Sequence, residues 1–93
     1  MKATLNGRVI ATSDDIVACD GYAYFPASTV RREWLEKSPK TEDDRACPHG
    51  VQFYDVMLDG TRHRRVAWSY ERAQREMKEV GGRFGFWNAV QVL

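Results

Sequence analysis

Three dipeptides, Asn6-Gly7, Asp20-Gly21 and Asp59-Gly60, each stand between runs able to form strands. Such pairs supply the consecutive positive φ angles of a two-residue type I′ hairpin: glycine has no Cβ, and Asn and Asp tolerate the left-handed region. Three in a chain of 93 residues point to a small, mainly β, antiparallel domain built of hairpins. The turns also propose registers. In the first hairpin Leu5 faces Arg8 and Ala3 faces Ile10; in the second Cys19 faces Tyr22, Val17 faces Tyr24 and Ile16 faces Phe25. In the third, Phe53 faces Val66 and Val51 faces Trp68 on one side, with Tyr54 opposite Arg65 and Val56 opposite His63 on the other. This ribbon is apolar on one face near its open end and polar toward its tip, so its open end belongs in the core.

Pro26 ends the second hairpin, and "PASTVRREWLEKS" reads as a connection with a turn of helix near Ser28. Trp34 and Leu35 open a further strand or anchor this segment. The polar run Ser38 to Ala46, "SPKTEDDRA", is expected to be an exposed loop. One helix is expected, in the C-terminal half, over Glu71 to Val80. There Ala73, Met77 and Val80 share a stripe, Glu71/Arg75 and Arg72/Glu76 form i,i+4 pairs, and Gly81 marks the stop. The closing "RFGFWNAVQVL" supplies a strand or two, broken near Asn88. No repeat or linker divides the chain, so residues 1–93 read as a single domain.

Charge and composition narrow the partners. A net charge of +1 gives no field for nucleic acid or an anionic membrane. No apolar run approaches the ~20 residues that span a bilayer. The N-terminal run lacks a signal-peptide core, and two cysteines are too few for a disulfide framework, so reduced thiols and a cytoplasmic setting are expected.

Five motifs, in order along the chain, resemble one family, the domain of unknown function 427. "LNGRVIATSDD" is similar to its opening "WNGxVIAxSDD", with Leu5 in place of Trp, and "DGYAYFP" to its "EGNxYFP". "CPHGVQFYDV" resembles "CPWKGxAxYYxV", "VAWSY" resembles "AAWxY", and "FGFWNAVQV" resembles "VAFWxxVxV". The chain departs from the pattern in three places. His49 alone stands where the family has Trp-Lys, the loop from Ser38 to Cys47 is longer, and Ala73 occupies a place often held by proline. The resemblance implies a β-tent architecture without paired CxxC zinc motifs. The family's label implies a nucleotidyltransferase, but no glycine-rich phosphate loop with a nearby acid pair is present, so that activity is not carried over.

The candidate site residues are weighed against plainer roles. Cys19, Cys47, His49 and His63 are zinc-ligand types, yet neither CxxC nor HxxxH spacing occurs, so no metal and no cofactor are expected. Cys47 and His49 are candidates for nucleophilic or acid–base chemistry. At i and i+2 of an extended segment they point apart, and meet only if the Cys-Pro-His-Gly turn folds them together. Cys47 as a small apolar filler is the plainer reading. The expectation for the stretch is a turn entering the hairpin, with His49 rather than Cys47 reaching a pocket mouth. Tyr24, Tyr54 and Tyr70 carry hydroxyls that need partners if buried, and with Phe25 and His49 they are the candidate ligand-binding set. Trp68 and Phe53 read as core packing. "TRHRRV" divides its charge between two strand faces and reads as a solvated tip, with Asp55 opposite Arg64.

The sequence therefore points to a small-molecule-binding domain with an aromatic and polar pocket, or in a sharper form a small enzyme. The alternative is a protein-interaction module, a homodimer paired through a strand edge. The turn reading carries its own test. Gly60→Val should destabilise the protein by about 1–2 kcal/mol in urea unfolding, because a β-branched residue resists positive φ.

Overall fold

The computed structural model describes residues 1–93. All three predicted turns are present, with Asn6, Asp20 and Asp59 at φ +50 to +51° and their glycines at +78 to +84°. The first joins β1 (Lys2–Leu5) to β2 (Arg8–Thr12), and the second joins β3 (Val17–Cys19) to β4 (Tyr22–Tyr24). After β5 (Leu35–Lys37) and α1 (Glu42–Ala46), the third joins β6 (Val51–Leu58) to β7 (Thr61–Tyr70). Two short strands, β8 (Phe84–Phe86) and β9 (Gln91–Val92), end the chain, with Asn88 between them at φ +57°. A main sheet runs in the order β5-β6-β7-β8 and an N-terminal sheet in the order β2-β1-β9. The β3-β4 hairpin joins the main sheet where Phe25 and Phe84 exchange both backbone hydrogen bonds at 2.9 Å. That exchange takes the place of the expected Ile16–Phe25 pair.

The main sheet is buried on both faces. Tyr54, Val56, Ala67, Phe84 and Phe86 pack with Leu5, Ile10 and Phe25 in one core, while Val51 and Trp68 pack with Tyr24, Met77 and Val80 in a second. The expectation of one apolar face therefore underestimates the ribbon. Its tip is polar as read, with Thr61, Arg62 and Arg64 exposed.

Two registers differ from those proposed by the turns. In the first hairpin a bulge places Ala3 opposite Ala11, not Ile10. Ile10 and Ala11 are thereby both buried, and the Ile10 carbonyl accepts a hydrogen bond from Arg31 N–H at 2.8 Å. In the third, Val56 faces His63 as expected, but beyond a bulge Tyr54 faces Ala67, Phe53 faces Trp68 and Val51 faces Tyr70. The cause is Asp55, 1% exposed, opposite a looped-out stretch of β7 instead of paired with Arg64. Its carboxylate accepts from Arg65 N–H at 2.9 Å and from the Arg62 guanidinium at 2.8 Å. Arg65 takes φ +53°. The left-handed region costs an ordinary residue roughly 1–2 kcal/mol. Hydrogen bonds to a charged group contribute about 1.5–3 kcal/mol each, so the clamp outweighs the strain.

The segment Ser38–Ala46 is more than an exposed loop. Thr41 and Asp44 form a capping box that starts α1: Thr41 Oγ1 accepts from Asp44 N–H and the Asp44 carboxylate accepts from Thr41 N–H. Asp44, 4% exposed, also takes both arms of the Arg65 guanidinium at 2.9 and 3.0 Å. In the C-terminal half the expected helix is shorter and tighter, a 3-10 segment over Arg75–Val80, with Met77 and Val80 buried as the stripe proposed. Residues Glu71 and Arg72 stay out of it because their N–H groups donate to the Gly50 and His49 carbonyls. Glu71 pairs with Lys37 and Lys40 rather than with Arg75. A 3-10 turn over Ala27–Thr29 stands where one was read, and another over Arg32–Trp34 leads into β5.

The Asp44–Arg65 fork makes stability pH-dependent. The Arg65 guanidinium, helped by Thr41, holds the Asp44 carboxyl at about 2, below its ordinary 3.8. A depressed folded-state value contributes stability that is present above the unfolded value and lost as pH falls through the folded one. This pair should thus support the fold at pH 4 and above, and fail between about pH 4 and 2, by on the order of 2 kcal/mol. Urea unfolding across that range should show a shallower acid loss for Asp44→Asn, with lower stability at pH 7.

Candidate functional site

Strand alternation sends Phe53 and its opposite neighbour Trp68 to the second-core face of the main sheet, together with Val51 and Tyr70. The same period of two puts Tyr22 and Tyr24 on one side of β4, and the chain after β8 brings in Trp87. These aromatic rings and Asp20, in the hairpin turn, line a half-open hollow of about 260 Å³. Trp68 is its centre: Tyr22 meets the indole edge-to-face at 5.0 Å, Trp87 at 5.2 Å and Tyr24 at 6.0 Å. Phe53 and Trp87 stack at 5.8 Å with planes 22° apart. Tyr22, 38% exposed, is the outer wall.

Gly85 makes this arrangement fit. It lies directly across from Trp68, and a Cβ there would stand 2.6 Å from the indole. Only a residue without a side chain lets the ring lie against β8.

The polar groups are mostly committed. Trp68 Nε1 donates to the Tyr24 hydroxyl at 3.3 Å, and Trp87 Nε1 donates to the Arg65 carbonyl at 2.7 Å. Burial pushes the pKa of the Tyr24 and Tyr70 phenols up, so both are neutral at ordinary pH. Asp20 forms no ion pair, and no Lys or Arg lines the cavity.

Of the candidates read from sequence, Tyr24 and Tyr70 reach this cavity. Phe25 lies in the first core, edge-on to Phe86 at 5.6 Å, and Tyr54 packs there on Phe84 at 5.2 Å. The Cys-Pro-His-Gly stretch is a tight turn, closed by Gly50 N–H to the Cys47 carbonyl at 3.2 Å, and Val51 beyond it is buried. His49 sets its ring edge-on to Tyr70 at 5.9 Å, outside the cavity wall, and its Nδ1 accepts from Gln74 N–H at 3.1 Å. In the neutral ring the proton therefore sits on Nε2. Pro48, His49, Gln74, Arg75 and Glu76 border a separate polar hollow. Cys47 is half-buried against the second core, and no hydrogen bond joins it to His49. Cys19 Sγ contacts Met77 Sδ at 3.7 Å, and burial raises its pKa. Cys19, Cys47, His49 and His63 do not converge: no group of three or more His, Cys, Asp or Glu side chains is arranged to hold a metal ion.

Sequence reading missed Asp20 and Tyr22, and gave Phe53 and Trp68 to packing alone. The alternation in Tyr22-Ala23-Tyr24 was the available signal for Tyr22. The Phe53–Trp68 pairing was hidden by the bulge at Asp55.

Fold and site together define a small antiparallel β domain with one aromatic, acid-edged hollow between a hairpin and its main sheet. The chain belongs to the family described as Domain of unknown function (DUF427), whose family model matches residues 1–93. A search of curated proteins returned no match. No helix is long and apolar enough to cross a membrane.

The contact at Gly85 yields a test of the site's construction. Gly85→Ala should displace the Trp68 indole and destabilise the protein by about 1–3 kcal/mol, as overpacking does. Near-UV circular dichroism should lose intensity from the coupled indoles, and urea unfolding should give the energy.

Proposed function

We propose that this protein binds a compact small molecule in the hollow enclosed by Tyr22, Tyr24, Phe53, Trp68, Tyr70 and Trp87. One observation carries this reading: six aromatic side chains line a half-open hollow of about 260 Å³ at the surface. Concave sites lined mainly by aromatic side chains with a few polar groups are where small molecules bind. A space bounded by side chains whose indole N–H groups are already bonded within the protein is pre-formed. It sits just below the ~300–1,000 Å³ of pockets that take drug-sized molecules, so its occupant is smaller. The His49 ring stands behind Tyr70, where it fixes the wall; its reach to a ligand passes through that tyrosine.

Ligand-observed NMR with a library of small fragments tests the reading. Fragments should bind the native protein, and Tyr22→Ala should weaken them while leaving the melting temperature within a few degrees, because Tyr22 is the exposed wall. Absence of any binder, or binders indifferent to Tyr22→Ala and Trp87→Phe, overturns the proposal.

A further inference from the structure

We infer that the group this hollow takes is a compact organic ammonium of the trimethylammonium class, held among the aromatic side chains that line it with the Asp20 carboxylate at its edge. The inference rests on the binding role proposed above and names its ligand class. Aromatic faces carry negative charge density, and several rings set around one small space attract a cation whose methyl groups also need apolar cover. Tyr22 and Trp87 rest edge-to-face on Trp68 at 5.0 and 5.2 Å, so these rings support one another as a fixed aromatic lining.

The charges agree. Asp20 is the single ionisable acid on the wall, and no Lys or Arg of the chain pairs with it. The Arg65 guanidinium, 4.1 Å from the centre of the Phe53 ring, is held by the Asp44 fork and is not part of the cavity lining. Both indole N–H groups are bonded within the protein, so the side-chain donors left in the lining are the Tyr22, Tyr24 and Tyr70 hydroxyls, and no cationic donor is present to favour an anion. An ammonium carrying methyl groups needs no acceptor lone pairs from its host beyond the carboxylate.

Titration calorimetry of the full chain with choline and with 3,3-dimethylbutan-1-ol separates charge from shape, because the alcohol replaces the cationic nitrogen by carbon. Choline should bind about tenfold or more tightly than the alcohol. Asp20→Asn should weaken choline a few-fold, more at low salt than at high, and leave the alcohol unchanged. Tyr22→Ala should weaken both. Equal binding of the two probes, or an Asp20→Asn variant that binds choline like the native protein, overturns the ammonium inference and leaves the small-molecule reading standing. Failure of both probes while other fragments bind does the same; failure of every compound sinks both. A peptide bearing trimethyllysine, titrated beside its unmodified form, tells the source of the group. Tighter binding than choline indicates a protein side chain, weaker binding a free small molecule, and either supports the inference.

Discussion

Arg65 is the residue on which the two faces of this domain meet. Its main-chain N–H is held by buried Asp55, its carbonyl receives the Trp87 indole N–H, and its guanidinium forks onto Asp44 of α1 while lying over Phe53. Four partners distant in sequence are fixed by one residue in a left-handed conformation. The strain is local and modest, whereas each bond to a carboxylate or buried indole would leave an unsatisfied polar group if lost. Removing the arginine would thus do more than delete a surface charge. It would uncover Phe53, one wall of the aromatic hollow, and leave Asp44 buried without its counter-ion, while the main-chain bonds to Asp55 and Trp87 are ones another residue can make.

The bulge that Arg65 occupies decides which side chains share a face. Without it, Val66 would stand opposite Phe53, and Trp68 opposite Val51. With it, Trp68 comes level with Phe53 and with Gly85 on the far strand. The indole then has a ring on one side and open backbone on the other. Tyr22 and Tyr24 complete the enclosure from a separate hairpin, tied to the main sheet by the paired Phe25 and Phe84 backbones. The hollow is therefore pinned by main-chain hydrogen bonds on every strand that contributes to it, which is the condition for a site that keeps its shape when empty.

Local chemistry was legible in the sequence; compensation between distant residues was not. The three Asn-Gly and Asp-Gly turns are dictated by φ alone, so they and the adjacent pairs Leu5–Arg8, Cys19–Tyr22 and Val56–His63 follow directly. The register error begins at Asp55, where a buried carboxylate draws a backbone N–H from Arg65; no alternation rule encodes that exchange. The polar run before Cys47 hid a capping box, and reading it as loop neglected that Thr41 with Asp44 three residues on is a helix-start signal. The helix proposed from Glu71 begins late because the 49–50 turn competes for the N–H groups of its first residues. At the site, Tyr24 and Tyr70 were reached by asking where buried hydroxyls would find partners. Phe25 and Tyr54, neighbours in the same motifs, fall on the opposite face of the sheet.

The same geometry bears on the chemistry implied by the family's nucleotidyltransferase label. A triphosphate carries dense negative charge, and proteins that hold one supply backbone N–H groups, Lys or Arg, and carboxylates spaced to share a cation. The hollow between β4 and the main sheet supplies aromatic side chains and a single carboxylate, and the Arg65 guanidinium over Phe53 is committed to Asp44. A phosphate placed there would lose its hydration to apolar rings and meet Asp20 with like charge. The neighbouring hollow offers one guanidinium, that of Arg75, beside Glu76, and the His49 imidazole is the one ring in its lining. The two hollows are divided by Tyr70, whose ring packs on Tyr24 on one side and meets the edge of His49 on the other. Base and phosphate recognition are thus not assembled in either one, and the electrostatics of the aromatic hollow run toward cations.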